Sequence, residues 1–129
     1  MPVRTRRWDD PAEPDDGFRL LITRYRPRGL PKQAETWDQW QPDLAPSKAL
    51  HAAAYGKAGL KFHWDDYRRR YLAEMRSQTT AITALAGRAA SGETITLLCS
   101  SKCTRESRCH RSLLRDLIER EVERVSGSS

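Results

Sequence analysis

The sequence predicts a small three-layer α/β domain, with a short, largely parallel sheet flanked by helices. Three observations carry that reading. Two apolar runs, "FRLLIT" (18–23) and "TITLLC" (94–99), have the composition of strands. A long, mostly helical connection separates them, as parallel neighbours require. The order strand, helices, strand, helix belongs to α/β architecture. With 129 residues the chain suits one domain and one modest core. We place that domain at residues 1–125, with 126–129 as a frayed tail.

The elements follow in order. "VRTRRW" (3–8) alternates weakly and suits an edge strand, and "DDPAEPDDG" (9–17) is a turn-rich acidic connector. "FRLLIT" is the first strong strand. It empties into "ITRYRPRGLPK" (22–32), which holds Arg24, Arg26, Arg28 and Lys32 and no acid. Two prolines and a glycine keep that stretch from being helical. Glu35 or Thr36 opens an expected short helix carrying Trp37 and Trp40 and closed by Pro42. Pro46-Ser47 marks a second helix start, with "KALHAAAY" running up to Gly56.

Residues 64–90 give the strongest helical pattern. Trp64, Tyr67, Tyr71, Met75, Ile82, Leu85 and Ala89 fall on one stripe, which we assign to the core. Asp65/Arg69 and Asp66/Arg70 stand four apart, acid first, the supportive order. Ser91-Gly92 ends the helix, and "TITLLC" follows as a buried strand. A last helix is expected from about Ser107, a suitable N-cap, to Val122, with Leu113, Leu114, Leu117 and Ile118 buried.

Net charge is +6, with arginine well ahead of lysine. That balance admits nucleic acid, nucleotides, phosphate or acidic proteins as partners, and equally a merely solvated basic face. No apolar run approaches the roughly 20 residues of a membrane helix. The N-terminus has no apolar segment followed by a small-residue cleavage site, so no signal peptide is expected, and the cysteine usage points to a reducing cytoplasm. The three cysteines are an odd number clustered within "CSSKCTRESRC" (99–109), unlike the framework of a secreted disulfide scaffold.

Candidate chemistry concentrates there. Cys99 ends a strand and Cys109-His110-Arg111 opens a helix, at the sheet edge where α/β proteins hold ligands. A helix N-terminus favours anions and stabilises a thiolate. Cys99 or Cys109 is the candidate nucleophile and His110 the base. Arg24, Arg28, Lys102 and Arg111 are candidate anion ligands, since guanidinium forks match phosphate oxygens. Other readings stay open. Cys109 and His110 extend the helix's apolar stripe, so both cysteines could be core residues. Cys99, Cys103, Cys109 and His110 could hold zinc, but the spacing lacks a paired C-x2-C knuckle, so no metal is expected, and no other cofactor either. Cys99 to Arg105 has the C-x5-R spacing of cysteine-dependent phosphatases without the glycines their loop needs.

"PDDGFRLLITRYRPRG" (14–29), "WQPDLAPS" (40–47), "WDDYRRRYLAEM" (64–75) and "LLCSSKCTRESRCHRSLLRDLI" (97–118) together resemble the domain of unknown function 488 family, small bacterial and archaeal proteins. Thr23 stands where many members carry aspartate, Arg26 where they carry tryptophan, and Ser101 or Lys102 where they carry glutamate. The resemblance covers about residues 2–120. It implies a compact three-layer α/β fold and no particular reaction. The motif positions it carries over are Arg24, Pro27, Arg28 and Gly29, then Ala45, Pro46 and Ser47, then Cys99, Cys109, His110 and Arg111.

The expectation from residues and resemblance together is a basic, cysteine-containing cleft at the strand carboxyl ends. It would take an anionic small molecule, phosphate-bearing or nucleotide-like. The alternatives are a nucleic-acid-binding module and a structural or interaction protein without catalysis. The loops after the two strands should then lie on one side of the sheet.

Overall fold

The structure, a computed structural model, describes residues 3–54, 63–100 and 109–127. Four strands make one sheet: β1 (Val3–Arg7), β2 (Phe18–Leu21), β3 (Gln39–Trp40) and β4 (Ile95–Cys99). Their spatial order is β1-β4-β2-β3, and every pairing is parallel. The expected small α/β domain with a parallel sheet is therefore observed. β4 is central and buried at all five positions, which explains its unbroken apolar run.

Gly17 sets the entry to β2. Its φ is +65°, and a Cβ there would lie 2.3 Å from the Thr94 carbonyl oxygen. Only glycine tolerates both the conformation and that approach. It lets the Phe18 N–H bond Thr94 O at 2.9 Å, which locks β2 in register with β4.

Four α-helices are described: α1 (Lys48–Ala54), α2 (Trp64–Met75), α3 (Thr79–Ala90) and α4 (His110–Gly127). Leu50, Tyr67, Tyr71, Met75, Ile82, Leu85, Leu114 and Ile118 share one core with Leu20, Ile22, Ile95 and Leu97. The expected core stripe thus packs as read, with Trp64 and Leu117 only partly buried against it. The other face of the sheet is met by connecting segments. Arg19 donates to the carbonyls of Thr36 and Asp10, and Thr96 Oγ1 to that of Asp16.

Three expectations need correction. The short helix bearing Trp37 and Trp40 does not form. Lys32–Ala34 makes one 3-10 turn, and Trp40 instead lies in β3 opposite Leu21. Trp40 Nε1 donates to Thr23 O at 2.8 Å, and Trp37 meets Trp8 edge-on at 6.3 Å. Tryptophans three apart mimic a helical face, but backbone pairing to β2 decided the matter. The 64–90 helix is interrupted by a 3-10 turn at Arg76–Gln78, where Ser77, Thr79 and Thr80 are weaker helix formers. The seven-residue step from Met75 to Ile82 keeps both halves on one face, so periodicity hides the break. Finally, α4 runs to Gly127 rather than ending at Val122. Its expected N-cap, Ser107, lies outside the described residues. Among the described residues, no helix is long and apolar enough to cross a membrane.

Candidate thiol and imidazole site

β4 delivers Cys99 to the carboxyl edge of the sheet, and the chain returns there at Cys109 to start α4. The two thiols face each other, Sγ to Sγ at 3.2 Å, both buried and not joined by a disulfide. His110 completes the group. Its Nδ1 lies 4.0 Å from Cys99 Sγ and 3.9 Å from Cys109 Sγ. Its Nε2 lies 2.7 Å from the carbonyl oxygen of Ile22. A carbonyl can only accept, so Nε2 carries the hydrogen. In the neutral imidazole, Nδ1 is then the acceptor, turned toward both thiols.

Ile22 is the residue just after β2, so this hydrogen bond ties the exit of β2 to the start of α4. The loops after β2 and β4 therefore begin on one side of the sheet, as expected from the parallel arrangement.

A second layer of contacts converges on the turn Leu44–Ser47. Tyr71 is fully buried, its ring tilted against His110 at 5.6 Å, and its hydroxyl donates to Leu44 O at 2.7 Å. Burial, then the neighbouring Tyr67, Cys109, Cys99 and Glu74, hold its phenol well above the usual value. Tyr71 therefore remains a donor throughout the physiological range. Arg24 Nε donates to Pro46 O at 2.9 Å and Nη2 to Ala45 O at 3.4 Å. Glu74 accepts from the Ser47 N–H at 2.8 Å and from its hydroxyl. The Ser47 oxygen in turn accepts from Leu50 N at 3.2 Å, capping α1.

Arg111 is the exception to this saturation. It is 6% exposed, and among the described residues its Nε has no hydrogen-bond partner. Leaving a buried donor unpaired costs about 1–3 kcal/mol, more for a charged group. It sits at the second position of an 18-residue helix, where backbone N–H groups also await acceptors.

Of the expected site residues, Cys99, Cys109 and His110 come together, and Arg111 adjoins them in sequence on α4. Arg24 stands at the exit of the neighbouring strand, but two of its nitrogens bind the carbonyls of Pro46 and Ala45. Arg28 is exposed on the Arg24–Lys32 loop. Lys102 lies outside the described residues, as do Cys103 and Arg105, and with them the C-x5-R reading and the fourth zinc candidate. Sequence reasoning missed Tyr71 and Glu74 as site-supporting groups, and the Ile22 carbonyl altogether. The signal available was modest: a tyrosine on a core stripe needs a partner for its hydroxyl.

The fold and this cluster define a class: a small parallel α/β protein with paired thiols and an imidazole at the strand ends. Within it, the chain belongs to the DUF488-N3a family, described as the Active DUF488-N3 subclade, whose model matches residues 3–122. It is 34% identical over 118 residues to the uncharacterised protein YeaO of Escherichia coli K12, covering 92% of this chain and 97% of that one. It is 33% identical over 73 residues to the uncharacterised proteins Mb3100c of Mycobacterium bovis and Rv3073c of Mycobacterium tuberculosis, covering 57% of this chain and 59% of each. No solved structure matches.

Proposed function

We propose that the protein binds an anionic, phosphate-bearing or nucleotide-like small molecule at the start of α4, beside the thiols of Cys99 and Cys109. One observation carries this: Arg111, 6% exposed with an unpartnered Nε, at the N-terminus of a long helix. An oxyanion there would satisfy the guanidinium and the first helical N–H groups at once. With the anion held, Cys99 or Cys109 is the nucleophile, and His110 Nδ1, its tautomer set by Ile22 O, takes the thiol proton. The word "active" in the subclade's description agrees with a reacting site. A cytoplasmic setting, which keeps thiols reduced, fits the same reading.

The test is ligand-linked stability. Inorganic phosphate and a nucleoside monophosphate, titrated at constant ionic strength, should raise the melting temperature. At a hundred times Kd, the stabilisation is about 2.7 kcal/mol. The Arg111→Gln variant should fold and show no such rise. An equal rise in that variant would refute the assignment.

A second reading has one observation in its favour. Tyr25 (52% exposed) and Trp40 (37%) are the large aromatics left open among the described residues, near the exit of β2 together with exposed Arg28. That combination suits stacking on a single-stranded nucleic acid. Binding of an oligonucleotide that weakens steeply with salt and depends on Tyr25 and Arg28 would favour it over the small-anion site.

A further inference from the structure

The three atoms that meet at the sheet edge also have the chemistry of a metal-ligand set. We propose that Cys99 Sγ, Cys109 Sγ and His110 Nδ1 bind a thiophilic divalent transition metal, zinc being the best match. This does not depend on anion binding at Arg111, and it gives the sulfurs and Nδ1 a ligand role in place of the nucleophile and base roles of that reading.

Distance is the first argument. With metal–sulfur bonds of about 2.3 Å and a metal–nitrogen bond of about 2.05 Å, a tetrahedral centre places its sulfurs about 3.8 Å apart and each sulfur about 3.6 Å from the nitrogen. The separations here are 3.2 Å between sulfurs and 4.0 and 3.9 Å from sulfur to nitrogen. Shifts of a few tenths of an ångström at each side chain bring all three into range.

Orientation is the second. Nε2 donates to Ile22 O, so the lone pair of the neutral ring is on Nδ1, the nitrogen facing the thiols. A ligating imidazole is characteristically held this way, its other N–H on a backbone carbonyl. Donor type is the third: two thiolates and an imidazole select zinc and its soft neighbours over magnesium or calcium. The spacing lacks the paired C-x2-C knuckle and so argues against zinc in the sequence, but the two cysteines come from different elements and meet in the folded chain.

Cobalt(II) is the probe, because it reports ligand type by colour. Titrated into the reduced full-length chain, it should bind at one equivalent. It should give an intense near-ultraviolet sulfur-to-cobalt band and the visible bands of tetrahedral cobalt, all erased by one equivalent of zinc. Affinity should fall as pH is lowered, since both thiols must lose protons to bind. In Cys99→Ser or Cys109→Ser the charge-transfer intensity should drop by about half, and affinity at least tenfold. A folded, fully reduced chain with no sulfur-to-cobalt band would overturn the proposal. So would a band that persists unchanged in the double Cys99→Ser, Cys109→Ser variant. Arg111→Gln separates the two readings: it should keep the cobalt spectrum in full while losing phosphate binding. Loss of either property leaves the other standing.

Discussion

Two arginines of this molecule are almost equally buried and live in opposite circumstances. Arg19 on β2 is 4% exposed and Arg111 on α4 is 6% exposed. Every guanidinium nitrogen of Arg19 is engaged: Nε with Thr36 O at 2.6 Å, one terminal nitrogen with Asp16 Oδ2, the other with Asp10 O at 3.1 Å. Asp16, also buried, collects Arg4 at 3.2 Å and the Glu13 N–H at 2.9 Å besides. That cluster, at the amino ends of β2 and β4, encloses Arg19 completely, although Asp16 Oδ1 and the neighbouring Arg6 Nε have ion-pair contacts at 3.2 and 3.9 Å but no hydrogen bond among the described residues. Arg111, at the carboxyl end of the same sheet, has a buried nitrogen with no acceptor among the described residues. A saturated charge holds loops in place. An unsaturated one, kept at a desolvation cost, points to something that binds.

The comparison can be broken at either end. The largest effect is expected from Arg19→Met. It leaves Asp16 buried without its closest partner, a loss of about 3–5 kcal/mol. Urea unfolding should show the midpoint falling accordingly, and a change under about 1 kcal/mol would mean that the cluster does not hold the fold. Arg111→Met should behave in the opposite way. Without added anion, it should leave stability unchanged or raise it by about 1 kcal/mol, since a buried donor with no partner among the described residues is removed. Marked destabilisation in the same assay would show that Arg111 is a structural residue.

Acid sharpens the contrast. Burial pushes the Asp16 carboxyl upward, but the Glu13 N–H and the hydrogen bond and charge of Arg19 outweigh it, so the net shift is below 3.8. A carboxyl lowered on folding contributes stability that is full above its unfolded value and is lost as pH falls through the folded one. Stability should therefore decline below about pH 4. Asp16→Asn should lose much of that slope while being less stable at pH 7. An unchanged slope would assign acid sensitivity elsewhere.

The smallest effect concerns the support of the thiol site. Tyr71→Phe removes one buried hydrogen bond to Leu44 O and should cost about 1 kcal/mol. It keeps the ring against His110, so thiol labelling rates at Cys99 and Cys109 should stay near those of the parent. A large acceleration would reveal that the hydroxyl, rather than the ring, closes the site.

Much of the fold was legible because its signals are local. β4 is apolar because both its faces are covered, Ser47 caps α1, and the Tyr67–Tyr71–Met75 stripe faces the core. Where the reading failed, a longer-range contact outvoted a local pattern. Trp40 pairs with Leu21 across the sheet edge, and the Arg76–Gln78 turn hides inside an unbroken stripe. The site was half legible. Position at a strand end and a helix start singled out Cys99, Cys109, His110 and Arg111. The basic loop was harder to judge, because charge on a sequence does not reveal whether carbonyls are waiting for it. Arg24 proved to have two.

By itself, then, the sequence determined three of the four strands, most helices, the parallel relation of β2 and β4, and the residues carrying reactive groups. All of these follow from composition and spacing over a few residues. Only the tertiary structure decided that two thiols ten positions apart lie 3.2 Å from each other, and that a carbonyl after β2 fixes the tautomer of His110. It also decided that Arg19 is saturated while Arg111 keeps a buried Nε with no partner among the described residues. These are facts about where buried donors find acceptors. That depends on how distant segments pack, which no local spacing encodes.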